Sequence, residues 1–126
     1  MAKSVPRLGR VQLQIMQVLW ERGEATAREI TEDLSLRKPI AHSTVQTLLR
    51  KLEDKAAVTH TVQDRTFLFR AVPGRTDVTT SSTRELLARL FDNSVSGLVA
   101  HLLQHEAIPA EEMARLRQLV GEVDQP

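Results

Sequence analysis

The chain has 126 residues, no cysteine, and 17 Lys and Arg against 16 Asp and Glu, for a formal net charge of +1. That length suits one ordinary domain or a small domain with an appendage, and such a chain can bury roughly two thirds of its unfolded surface. Zero cysteine excludes disulfides, Cys-ligated zinc, iron–sulfur clusters and thiol redox sensing.

No stretch approaches the roughly 18 consecutive apolar residues that a membrane span needs. Lys3, Arg7 and Arg10 are not followed by the apolar run of a signal peptide. The expectation is a cytoplasmic protein without membrane insertion.

In chain order, Leu8, Val11, Ile15, Val18 and Leu19 recur at helical spacing, and Gly23 supplies a stop. Thr26-Ala27-Arg28-Glu29 has the capping-box pattern, in which hydroxyl and carboxylate satisfy each other's backbone donors. Ala27, Ile30 and Leu34 continue this as a short second helix. Ser35 to His42, with Pro39 inside, reads as a loop. Ser43 is the expected N-cap of a third helix, whose stripe is Val45, Leu48, Leu49 and Leu52.

After Ala56-Ala57 the period drops from about 3.6 to 2. Val58, His60 and Val62 alternate with Thr59 and Thr61. Phe67, Phe69 and Ala71 then alternate with Leu68 and Arg70, with Gln63-Asp64-Arg65-Thr66 as the turn. Three helices and a two-stranded ribbon make the winged helix-turn-helix plan.

Val72-Pro73-Gly74-Arg75 marks a module boundary, placing a DNA-binding domain at 1–74 and a helical dimerisation region at 75–126. Thr79 to Thr83 is too polar to nucleate a helix strongly, although it can precede or begin one. Beyond Arg84 the stripes Leu86, Leu87, Leu90, Phe91 and Val95, Leu98, Val99, Leu102, Leu103 are helical. Pro109 opens a last helix with Met113, Leu116, Leu119 and Val120. So small a piece buries little of its own apolar surface, and pairing with a second copy is the natural remedy. Leu86, Leu90, Phe91, Val95, Leu98, Val99, Leu102, Leu116 and Leu119 are the expected dimerisation residues. Folding back onto the first module is the alternative.

Charge supports the division of labour. Residues 1–75 hold 13 Lys and Arg against 8 Asp and Glu, a net +5; residues 76–126 hold 4 against 8, a net −4. The basic part is the one that would face phosphates.

On the third helix Ser43, Thr44, Gln46, Thr47, Arg50 and Lys51 lie opposite or beside the aliphatic stripe. Gln can bond an adenine edge in bidentate fashion, and Thr can pair its hydroxyl with a base while its methyl meets thymine. Thr44, Gln46 and Thr47 are therefore the candidate base readers, with Arg50 and Lys51 as phosphate holders. Arg65, near the ribbon tip, and Arg10, at the first helix, are further DNA-binding candidates. The competing explanation for each is an ordinary solvated surface.

Catalysis has no support in the sequence. His101 and His105 have the spacing of two metal ligands and Glu106 adjoins them, but a site needs a third ligand and no His-Glu-x-x-His signature occurs, so a wet or interfacial helix face is expected and no metal site. Ser94-Val95-Ser96-Gly97 lacks the pattern of a nucleophile elbow, and no phosphate-cradling loop occurs. No cofactor is expected.

Ile15-Met16-Gln17-Val18-Leu19-Trp20 and Ser43 through Leu52 carry a family resemblance. Phe67-Leu68-Phe69-Arg70-Ala71 and Leu98-Val99 add to it. From about Leu8 to Val120 the chain resembles the BlaI/MecI penicillinase repressors, whose wider membership includes the CopY repressors. The resemblance implies a homodimeric repressor with an N-terminal winged helix and a C-terminal helical dimerisation region, bound to palindromic operators. It aligns Thr44, Gln46 and Thr47 with the DNA-contacting segment, where Gln46 departs from the arginine of staphylococcal members. It also implies relief through a BlaR/MecR-type membrane sensor that leads to cleavage, in the region aligned with His101-Leu102. Copper sensing of the CopY kind needs a C-terminal cysteine cluster and is excluded.

The sequence thus predicts a mainly α fold with a small β-ribbon, and a dimeric, non-enzymatic repressor that binds double-stranded operator DNA and serves in an antibiotic response. A winged-helix protein-interaction module and a small-effector-responsive regulator are the alternatives.

Overall fold

A computed structural model describes residues 5–123, so Lys3 lies outside the described residues. Among these the order is α1 (Arg10–Arg22), α2 (Ala27–Ser35), α3 (His42–Asp54), β1 (Val58–Gln63), β2 (Thr66–Ala71), α4 (Arg75–Leu90), α5 (Val95–His105) and α6 (Ala110–Val123). The chain forms two compact units, Met1–Thr83 and Arg84–Pro126. The Val72–Arg75 punctuation coincides with the start of α4; the units divide nine residues later, within that helix.

In the first unit, α1 begins where the Gly9 N–H donates to Gln12 Oε1 at 2.9 Å. Lys55 Nζ donates to the same oxygen at 3.0 Å and to the Arg7 carbonyl at 2.9 Å. Gln12 is thereby a buried polar group with its acceptor satisfied, a condition burial imposes. The helix stops at Gly23, whose φ of 84° an L side chain rarely adopts, and whose N–H reaches the Leu19 carbonyl.

The Thr26 capping box forms as expected: the Glu29 N–H donates to Thr26 Oγ1 at 3.1 Å, and the Thr26 N–H to Glu29 Oε1 at 2.9 Å. Arg22 then clamps α1 to α2 with a fork on Asp33, Nε to Oδ2 at 2.7 Å and Nη2 to Oδ1 at 2.9 Å. The capping bond from the Thr26 backbone holds the Glu29 carboxyl below its ordinary pKa. Hydrogen bonding from Arg22 does the same to Asp33.

One expected cap is corrected. Helix α3 starts at His42 with Ala41 in the N-cap position, and Ser43 is already inside the first turn. The reason is tertiary: His42 Nδ1 lies 3.2 Å from Thr31 Oγ1 on α2, a contact absent from local sequence. At its other end the Ala56 N–H bonds Glu53 O and the Ala57 N–H bonds Leu52 O, a Schellman closure. Ala56 occupies its left-handed position at φ 63°.

The ribbon pairs antiparallel, with Val58 opposite Ala71, His60 opposite Phe69, Val62 opposite Phe67 and Gln63 opposite Thr66. Its loop is Asp64-Arg65, both at positive φ. Ala25 adds a short third edge: its N–H and carbonyl exchange bonds with Phe69 at 3.0 and 2.8 Å.

The core is one cluster in which Ile15, Met16, Val18 and Leu19 meet Ile30, Val45, Leu49, Leu52, Val58 and Phe69. Leu48 and Leu34 pack at its margin. These elements form a winged helix-turn-helix, with α2 and α3 packed on α1 and the ribbon closing one side.

Helix α4 contains Thr79 to Thr83 in its middle, which corrects the view of that tract as a weak start. Nucleation occurs upstream, where Asp77 Oδ2 accepts from the Gly74 N–H at 2.9 Å and Val78 is buried. Trp20 anchors the same junction, its indole N–H donating to the Pro73 carbonyl at 3.0 Å. The Arg75 guanidinium lies 5.4 Å over the indole ring.

In the second unit, Asp92 and Asn93 take positive φ between α4 and α5, and the Asn93 N–H closes on Leu87 O. Ser94, examined in the sequence as a nucleophile, is the N-cap of α5, its Oγ accepting from the Gly97 N–H at 2.9 Å. The Pro109 carbonyl accepts from the Met113 N–H as α6 begins. No described residue of this unit is buried.

Candidate nucleic-acid interface

The amphipathic split of α3 builds the candidate surface. Val45, Leu49 and Leu52 are buried, which turns Ser43, Thr44, Gln46, Thr47, Arg50 and Lys51 outward, all exposed. Packing of three aliphatic side chains therefore fixes the direction of six polar ones. Thr47 Oγ1 donates to its own helix at Ser43 O, 3.0 Å away. Its hydroxyl proton is spent there, leaving the oxygen lone pairs and the methyl group to face outward.

Gln46, Arg50 and Arg65 line one cleft of about 480 Å³ between α3 and the ribbon. Arg65 sits in the second position of a two-residue hairpin loop at φ 66°. Such loops favour glycine there, so an arginine is held in a backbone state that disfavours it. Arg10 is exposed but belongs elsewhere, lining a groove of about 640 Å³ formed by α1 and the α2–α3 connection.

Several residues at these sites escape sequence reasoning. Arg28, His42 and Phe67 border the cleft with Gln46 and Arg50. Arg37 and Lys38 share the groove with Arg10. The adjacent Arg37-Lys38 pair just before the third helix was a readable signal. The position of Arg28 depends on how α2 meets α3, which local pattern does not carry.

The second unit presents a different chemistry. Leu86, Leu90, Val95, Val99, Leu102 and Leu119 are exposed, while Phe91, Leu98 and Leu116 are half-buried. His101 is exposed on α5, its ring stacked on His105 with centroids 4.2 Å apart and edge-on to Phe91 at 5.7 Å. His105 Nδ1 lies 3.0 Å from the His101 carbonyl. No described helix is long and apolar enough to cross a membrane.

A family model described as penicillinase repressor matches residues 8–122. The chain is 32% identical to the transcriptional regulator BlaI of Mycobacterium tuberculosis, across 98% of this chain and 89% of that protein. It is 24% identical to the penicillinase repressor of Bacillus licheniformis, across 95% and 94% respectively. Among solved structures, the monomeric form of Bacillus licheniformis BlaI in complex with the blaP half-operator aligns with a TM-score of 0.51 at 26% identity. That alignment covers 59% of this chain and 90% of that one.

Proposed function

The chain belongs to the penicillinase repressor family of DNA-binding transcriptional repressors, and from that premise we propose that it acts as a dimer on palindromic operators. The outward face of α3 enters the major groove. Gln46, Thr44 and Thr47 read base edges, while Ser43, Arg50 and Lys51 hold phosphates. Arg65 reaches a phosphate or the adjoining minor groove from the ribbon tip. Arg10 adds a backbone contact from a separate groove.

The observation that carries this reading is the unbroken exposure of those α3 side chains beside Arg65, which is kept at a positive φ. A backbone state that glycine fills more easily is a reason to seek a role for the side chain. Positive charge near phosphates displaces counterions, so binding should weaken steeply with salt.

Residues 1–74 supply the DNA contacts in this reading, and 75–126 the pairing surface. The apolar residues of α5 and α6 remain exposed within one chain, and a second copy would cover them. Pairing makes the second half-site contact intramolecular and multiplies affinity without any new contact. The family's route of relief, a BlaR/MecR-type membrane sensor leading to cleavage, is extended here to the exposed His101-Leu102 bond region of α5. A protease needs that helix opened locally, which a single chain, with no buried residue on α5, allows more readily than the pair.

Selection from random duplexes tests the reading. An inverted repeat should emerge, and Gln46→Ala should reduce discrimination at one position per half-site by about 1–3 kcal/mol. Absence of any preferred duplex at low salt would refute it.

A further inference from the structure

The ribbon's inner face continues past the core it helps to close. At its root Val58 and Phe69 are buried, but nearer the tip Phe67 is 47% exposed and Val62 63% exposed. Phe67 forms one wall of the cleft that separates the ribbon from α3. His60 lies flat against Phe67, with centroids 3.9 Å apart and planes 11° from parallel. Phe69 closes the end of this aromatic group, edge-on to Phe67 at 6.1 Å. Glu53 Oε1, 2.6 Å from His60 Nδ1, fixes the imidazole in that plane.

The remaining walls carry three guanidinium groups. Arg28 comes from α2, Arg50 from α3 and Arg65 from the loop, and none of the three has an ion pair or hydrogen-bond partner among the described residues. Two carboxylates also line the cleft: Glu53, already engaged by His60, and Asp54. Its volume of about 480 Å³ falls within the roughly 300–1,000 Å³ of small-ligand sites, which combine apolar walls with a few convergent polar groups.

We propose that the cleft between α3 and the ribbon binds a small planar aromatic anion, a carboxylate or sulfonate, and that such a ligand and operator DNA exclude each other. A ring stacks beside Phe67 and His60, where offset aromatic contact is favourable. The anionic group meets a guanidinium fork, whose geometry suits bidentate oxyanion pairing. Either half alone leaves part of the cleft unsatisfied: a bare phosphate does not cover Phe67, and a neutral ring leaves three cations without a partner. The exclusion follows because Gln46, Arg50 and Arg65 belong to both sites, and this part rests on the DNA reading above.

The test is a titration of the ¹⁵N-labelled full chain with sodium 2-naphthoate, compared with neutral 2-naphthylmethanol. Saturable shifts should concentrate at Gln46, Leu49, Arg65, Phe67 and Phe69, with the alcohol at least about tenfold weaker. Phe67→Ala and Arg28→Gln should each weaken naphthoate about tenfold, and Phe67→Leu controls for ribbon folding by keeping bulk without a ring. Equal affinity for acid and alcohol, shifts centred elsewhere, no saturation, or indifference to both variants would overturn the site. In a second arm, a selected operator duplex should displace naphthoate. Unchanged naphthoate affinity on the DNA-bound protein overturns the exclusion and leaves the DNA reading standing. Failure to bind any duplex overturns the DNA reading and the exclusion with it, but not the site.

Discussion

Replacing Arg65 by glycine should separate stability from DNA affinity in opposite directions. Asp64 and Arg65 form the whole hairpin loop at φ 50° and 66°. A left-handed backbone disfavours an L side chain by roughly 1–2 kcal/mol. Glycine removes that penalty but adds unfolded-chain entropy of roughly 0.5–1 kcal/mol. The net gain therefore lies between zero and about 1.5 kcal/mol, each 1 kcal/mol being worth about 4–8 °C in the melting of a unit this size. Arg65 is exposed, so no packing is lost. On DNA the same change removes one cation per module. Affinity for each half-site should fall by about 1 kcal/mol, and the slope of log K against log salt should flatten by about 1 per module. Calorimetry and a salt series of fluorescence-anisotropy titrations measure the two effects. Unchanged salt dependence would take Arg65 off the phosphate backbone, and a loss of stability would refute the strain argument.

At the end of α3, Ala56→Gly relieves the positive φ of a Schellman closure. It should raise stability by about 1 kcal/mol in denaturant unfolding without changing operator affinity. Acid should weaken the α1–α2 clamp. The Asp33 carboxyl is lowered by its bond to Arg22, and Glu29 by the Thr26 backbone bond. Their contribution is complete above the unfolded carboxylate pKa of about 4 and is lost as pH falls through the lower folded values. Asp33→Asn should flatten that acid limb, and a limb of unchanged steepness in urea midpoints against pH would argue against the clamp. On α5, Leu102→Glu should yield monomers in sedimentation together with weak operator binding, whereas a dimer of wild-type strength would move the pairing surface elsewhere.

Much of the first unit was legible because its signals are local. The Thr26 capping box, the Gly23 stop and the period-2 ribbon each depend on residues within a few positions of one another. The start of α3 was not, since His42 is drawn into the helix by Thr31 eleven residues earlier. Thr79 to Thr83 misled for a related reason: a helix begun at Gly74 and Asp77 propagates through residues that would not begin one. The polar face of α3 could be read from its aliphatic stripe. The cleft could not, because it forms where α2, α3 and the ribbon converge: strand alternation puts Phe67 on the face of Phe69, but nothing local brings Arg28 to the same cleft.

The single tryptophan, Trp20 on α1, packs against the edge of the core and reaches the root of α4 through its indole N–H. Its emission should therefore report both whether the Pro73 carbonyl and the Arg75 cation still hold the indole and whether the adjoining core has melted. On heating, a fluorescence transition that precedes the loss of far-ultraviolet dichroism would mark release of this joint ahead of the helices. A spectroscopist thus has, without any label, an optical gauge on the joint between α1 and the start of α4.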